Sequence, residues 1–197
     1  MPFDQRSRKY STQGGRLDST KRRPYAVTGY LEPPRRLEAP SLNVEKAKAQ
    51  GRKPPRILDT MNVRYDNLAE SRLYSPAWRA GRRCLIPAKW ICEPNWETGK
   101  HIPYRIGVAG WRPLCVAGIW RTLQYPDGTE RHTMAMVTVS ADEHPIMKRM
   151  HRPGAEKRSV VILHPDDWEE WLTTPNLEAA RAMLQLYPAE DMAAGPA

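Results

Sequence analysis

The chain has 197 residues, 40% of them hydrophobic, and a formal net charge of +9, which suits one compact domain and leaves too little chain for two. Its three cysteines, Cys84, Cys92 and Cys115, form no CxxC pair and no cluster with histidine, which excludes a disulfide framework and a zinc site; no metal and no cofactor are expected. No apolar run approaches the roughly 20 residues that span a bilayer, and the polar start carries no secretory segment, so a cytoplasmic protein without a membrane partner is expected.

The charge is unevenly placed. Residues 1–56 carry fourteen Lys/Arg against five Asp/Glu, while residues 57–197 balance at seventeen of each. Residues 1–24 combine this basicity with almost no apolar periodicity and are read as a disordered segment. Tyr25–Leu31 (YAVTGYL) suits a short strand before Pro33 and Pro34, and Val44–Ala49 suits a helical turn. Arg82–Pro87 leads into Ala88–Cys92, a short apolar run expected as a buried strand, and Asn95–Lys100 reads as a turn before an extended stretch at Tyr104–Gly107. Leu114–Leu123 and Thr133–Ser140 are predicted strands joined through Pro126–Asp127–Gly128, and Ser159–Leu163 is another. Helices are expected at Pro145–Met150, at Asp166–Leu172 with two acids at its positive end, and from Thr174–Pro175 to about Leu186 with Thr174 as cap. Strands first and helices last predict an α+β fold with a mixed or antiparallel sheet, and residues 191–197 read as a C-terminal tail.

There is no HExxH, Walker loop, GxGxxG or G-x-S-x-G. A basic segment is attracted to phosphate backbones, but on charge alone it is equally a solvated tail. Trp90, Trp96 and Trp120 are candidates to stack on bases, with a core position preferred for Trp120.

Four stretches add more. They are Asp59–Arg64 (DTMNVR), Arg83–Glu93 (RCLIPAKWICE), Pro94–Lys100 (PNWETGK) and Ala141–Leu163 (ADEHPIMKRMHRPGAEKRSVVIL). In this order and spacing they resemble the SOS response-associated peptidase (SRAP) family over about residues 57–190, in a domain expected to span 25–190. The resemblance implies a curved mixed sheet flanked by helices, forming a groove for single-stranded DNA that contains abasic sites, and a monomer is expected. It implies that Asn62, in Asn62-Val63-Arg64, positions the chain terminus that attacks the lesion. Glu93, at the end of Trp90-Ile91-Cys92-Glu93, is implied as the catalytic carboxylate and His151, in His151-Arg152-Pro153, as the catalytic histidine; His144 is the alternative proton carrier. Arg64, Arg152 and Trp96 are implied as DNA contacts, although Arg64 has a structural alternative in an ion pair with Asp59 or Asp66.

The residue types suit that chemistry. An opened abasic sugar is an aldehyde, which an amine attacks and then loses water to form a Schiff base. Histidine titrates near working pH and can shuttle the protons, and a carboxylate can accept a hydrogen bond from the amine. In the family the attacking group is the cysteine after the initiator methionine, which closes a thiazolidine. This chain opens Met1-Pro2-Phe3-Asp4. It is therefore expected to be an N-terminally shortened or divergent member, in which the usual crosslink lacks its nucleophile; the alternatives are a binder of single-stranded DNA that does not react, or a degenerate remnant.

Overall fold

Alternating apolar residues on two long central strands organise the molecule. The computed structural model describes residues 49–51, 61–124, 128 and 130–197. The segment read as disordered, the strand expected at Tyr25–Leu31 and nearly all of the turn expected at Val44–Ala49 lie outside the described residues, as do Asp59, Pro126 and Asp127.

Strand β1 is Asn62–Arg64, β2 Arg83–Ala88, β3 Ile91–Asn95, β4 Ile102–Val108, β5 Leu114–Gln124, β6 Glu130–Ser140, β7 Arg158–Val160, β8 Ile162–Leu163 and β9 Met192–Pro196. Helix α1 is Ser75–Arg79, α2 Trp168–Thr173 and α3 Leu177–Ala182. The larger sheet runs β1-β6-β5-β2, with β1 parallel to β6 and β5 antiparallel to both neighbours. This is the expected mixed α+β architecture, with one open sheet of six strands and a second of three among the described residues.

The β5–β6 hairpin pairs from Gly118↔Met136 out to Gln124↔Glu130, and its other end forks. The segment 158–163 fills the fork. Arg158–Val160 pairs with β6, Ile162–Leu163 pairs with β5, and Val161 joins both, its N–H donating to Val137 and its carbonyl accepting from Ala117. The single strand expected at Ser159–Leu163 is thus divided between two partners. Because this part of the sheet is covered on both faces, Leu114–Ile119 are all buried, and the run shows no polar alternation.

On one face Ala117, Ile119, Ala135, Val137, Val139 and Leu163 meet Trp78 of α1, Trp171 of α2 and Ala180 of α3. On the other, Val116, Val160 and Ile162 pack with Val108 and with partly buried Ile91 and Met192 of the small sheet β3-β4-β9.

Several expectations are corrected. The strand expected at Ala88–Cys92 straddles a break at Lys89–Trp90, because β2 belongs to the large sheet while β3 leaves it to pair with β4. The C-terminal tail is instead strand β9, since β4 offers an open edge that Met192–Pro196 completes. The last helix begins later and ends sooner than expected. Asn176, not Thr174, caps it by accepting from the N–H groups of Glu178 and Ala179, and Thr174 closes α2. The helix expected at Pro145–Met150 is a single 3-10 turn, Met147–Arg149, whereas that expected at Asp166–Leu172 is present as α2, entered through a 3-10 turn at Pro165–Asp167. Trp120 is half-buried rather than in the core, with Arg82 over its ring and His132 at its edge.

Candidate functional site

β3 is an edge strand of the small sheet, and its free side is taken by the short stretch that carries the histidine. Asn95 and Met150 form an antiparallel bridge, Trp96 N–H donates to the Arg149 carbonyl at 3.1 Å, and His151 N–H donates to the Pro94 carbonyl at 2.7 Å. Residues 149–151 therefore act as a fourth, minimal strand. Met147 and Met150 sink into a small core with Ile106 and Ala141, which anchors that stretch to the sheet.

The consequence is a contact between residues 58 positions apart: His151 Nε2 lies 3.2 Å from Glu93 Oε2. The Glu93 side chain is only 19% exposed and that of His151 34%. Burial pushes the Glu93 carboxyl up to about 7. Burial, and then the nearby Lys157 ammonium, push the His151 imidazole down from its usual value. Both shifts favour the neutral forms. The shifts thus weaken a fixed ion pair between the two and favour a neutral carboxyl beside a neutral imidazole as pH falls toward and below about 7. Such a pair gives up or takes up one proton with little rearrangement, which suits general acid–base work.

His144, the alternative carrier, is spoken for. Its Nδ1 accepts from the N–H groups of Ile146 and Met147 at 3.2 Å each, and its Nε2 donates to the Tyr187 carbonyl at 2.9 Å. At 6% exposure it is a structural histidine that ties the turn before His151 to the C-terminal segment.

Trp96 and Arg152 are brought together next to the pair. The Arg152 guanidinium lies 4.9 Å over the Trp96 ring, and His101 flanks the same indole at 6.0 Å. Asn95 and Glu97 brace the turn: Asn95 Nδ2 donates to Glu97 Oε2 and Glu97 N–H donates back to Asn95 Oδ1. Trp90 stands elsewhere on the surface, between Arg105 at 4.9 Å and Lys89 at 5.4 Å.

Asn62 and Arg64 lie on β1, both exposed, and no hydrogen bond or ion pair joins either of them to Glu93 or His151 among the described residues. Arg64 is engaged in the fold. Its two terminal nitrogens each lie 2.8 Å from the Glu156 carboxylate, and one is 3.2 Å from Asp66. Arg158 reaches the same two acids and is itself fixed to Thr138. Arg158 and Arg64 together hold the Glu156 carboxyl below its usual range. Pattern in the sequence does not show Glu156, Lys157 and Arg158 as one unit with Arg64; the pairing of both β1 and β7 with β6 brings them together.

The thiols sit in strands β2, β3 and β5. Cys84 and Cys115 are buried, and burial pushes Cys84 up to about 12 and Cys115 upward as well, so neither is a ready nucleophile at neutral pH; Cys92 is exposed.

The model of the family described as SOS response associated peptidase (SRAP) matches residues 40–197. The abasic site processing protein YoqW of Bacillus subtilis is 29% identical over 140 residues, covering 68% of this chain and 58% of that protein. The abasic site processing protein YedK of Escherichia coli is 30% identical over 120 residues, covering 61% of this chain and 48% of that protein. The chain thus spans about half the length of the relatives it matches. Among solved structures, a protein from Bordetella bronchiseptica is similar with a TM-score of 0.68 and 31% identity, over 85% of this chain and 73% of that one.

Proposed function

The chain belongs to the SOS response-associated peptidase family, and from that premise we propose that it recognises abasic sites in single-stranded DNA, with Glu93 and His151 moving protons at the lesion sugar. The observation that carries this reading is the half-buried carboxyl–imidazole contact of 3.2 Å, in which burial pushes Glu93 toward the acid form and His151 toward the base form. An abasic sugar rests mostly as a closed hemiacetal. Opening it requires the C1′ hydroxyl to lose a proton as the C1′–O4′ bond breaks and the ring oxygen to gain one. His151 is suited to take the C1′ hydroxyl proton and the Glu93 carboxyl to give one to the ring oxygen; passage of the proton from the imidazolium to the carboxylate across their contact then restores both groups. The aldehyde so formed can take an amine at C1′, and loss of one water leaves an imine.

Around that pair, Trp96 offers a ring on which a flanking base can stack, and Arg152 a cation for the adjacent phosphate. Asn62 is assigned to the attacking amine and Arg64 to a second phosphate. Arg64 would have to exchange its Glu156 partner for that phosphate, which is chemically reasonable because both are oxyanions held by the same guanidinium fork.

The test is a single-stranded oligonucleotide with one abasic site, incubated with the full chain and run on a denaturing gel with and without borohydride. A retarded band that weakens at least tenfold in Glu93→Gln and in His151→Ala supports the reading. Binding that prefers the abasic strand but leaves no band under either condition would reduce the function to holding the lesion. Equal binding to intact and abasic strands would overturn it.

A further inference from the structure

The geometry points to Lys157 as a positioning residue that holds His151 in the conformation aimed at Glu93. The inference rests on the reading of His151 as the proton carrier given above. His151 has φ 59, a left-handed backbone that is uncommon outside glycine, though asparagine, aspartate and histidine adopt it more often than other residues. Histidine tolerates such a bend better than most side chains, and contacts from elsewhere hold it in this one.

Those contacts are on both sides of the residue. Its N–H is held by the Pro94 carbonyl of β3 at 2.7 Å. Its carbonyl accepts from Lys157 Nζ at 3.0 Å, and the same ammonium takes the Arg152 carbonyl at 2.7 Å. One cation thus gathers two successive carbonyls, that of His151 and that of Arg152, the second of which also accepts from the Ala155 N–H at 3.1 Å. Lys157 is itself fixed, since its N–H donates to Asp142 Oδ1 at 2.8 Å and its carbonyl accepts from Ala141 N–H at 2.8 Å. The residues on either side of it, Glu156 and Arg158, are tied to Arg64, Asp66 and Thr138. The loop 152–157 therefore hangs between β3 at one end and the β1–β6–β7 corner at the other, with Lys157 as the link to the histidine.

The ammonium also acts through charge. The groups facing His151 are Glu93 from β3 and, on its own loop, Lys157, with Arg152 adjacent but turned onto Trp96. Lys157 disfavours the imidazolium and so keeps His151 able to accept a proton.

The experiment is ¹⁵N–¹H NMR of the histidine rings in the full chain, titrated in the unmodified protein, in Lys157→Met and in Lys157→Arg. The expected result is a His151 titration midpoint that rises by roughly half to one pH unit in Lys157→Met and returns toward its starting value in Lys157→Arg. The ring of His144, held by Tyr187, Ile146 and Met147, should not move. An unchanged His151 midpoint in a Lys157→Met protein that melts cooperatively would overturn the inference. Should that variant fail to fold, the Lys157 ammonium in the unmodified chain decides: a slowly exchanging ¹⁵Nζ signal supports the clamp, and a freely averaged one overturns it. The titration needs no DNA. A shifted midpoint in a protein that ignores abasic DNA would leave the positioning role standing and remove the proposed function, so the two failures are distinguishable.

Discussion

Glu93 makes a measurable claim on stability as well as on chemistry. Its carboxyl moves from about 4.5 to about 7 on folding, so between those values the folded chain binds more protons than the unfolded one. Stability must then fall as pH rises from about 4.5 through about 7. Glu93→Gln removes the titrating group while keeping the shape. The variant is expected to match the parent below pH 4.5 and to exceed it at pH 8 by about 1–3 kcal/mol, read from urea unfolding at the two pH values. A parent that is the more stable protein at pH 8 would mean that the carboxylate, not the acid, is the favoured form. The same substitution should lower abasic-site trapping, which sets activity against stability at one residue. Gly118 is a purely structural counterpart. A Cβ there would come within 2.7 Å of Cys84 Sγ and 2.8 Å of Ile86 Cδ1, so Gly118→Ala is expected to cost about 1–3 kcal/mol in thermal unfolding while leaving the His151 titration in place.

At the scale of elements, two joints decide whether the site exists. Arg83 of β2 is 5% exposed, and its guanidinium donates to the carbonyls of Trp171 and Thr174, closing the C-terminal end of α2 onto the sheet. The same cation lies 5.6 Å from the Trp171 ring and 6.0 Å from that of Trp78. Arg83→Ala leaves the two carbonyls unmet and is expected to lower stability by about 3 kcal/mol in equilibrium unfolding. The second joint is β9, which completes the edge of β4 and covers Ile106 with Ala194. A chain ending at Asp191 is expected to lose about 2 kcal/mol or more, and with it the His151–Glu93 contact, because β4 is the strand on which β3 rests. Retention of the parent Tm would show that the edge needs no cover.

For the whole molecule, charge and fold divide the work. The described domain carries the candidate site, whereas the basic excess lies within residues 1–56. Binding to single-stranded DNA is expected to weaken steeply with salt, each lost phosphate contact reducing the log–log slope by about 0.7. A chain lacking residues 1–48 should bind more weakly at low salt and with a shallower slope, yet keep its preference for an abasic strand over an intact one. Loss of that preference would place recognition outside the described domain. No helix among the described residues is long and apolar enough to cross a membrane.

By itself the sequence determined the family and the α+β class, through the order of four short motifs and the strong strand patterns at Leu114–Leu123 and Thr133–Ser140. It also singled out Glu93 and His151, whose neighbours Pro94 and Arg152-Pro153 mark them within those motifs. Local pattern failed wherever a residue's partner lies far along the chain. Met192–Pro196 reads as a tail because small residues and a glycine have little strand propensity, and only the open edge of β4 makes it a strand. Ser159–Leu163 reads as one strand because periodicity does not report a fork between two partners. For Arg64 the sequence offered a DNA contact or a nearby acid, and the structure adds Glu156, which only the corner of β1, β6 and β7 brings within reach; Lys157 stands out only once the turn after His151 folds its carbonyl onto it. The candidates for chemistry stand in short motifs, since chemistry selects residue types. How they are held was decided by tertiary structure, because hydrogen bonds and ion pairs between distant segments have no periodicity to read.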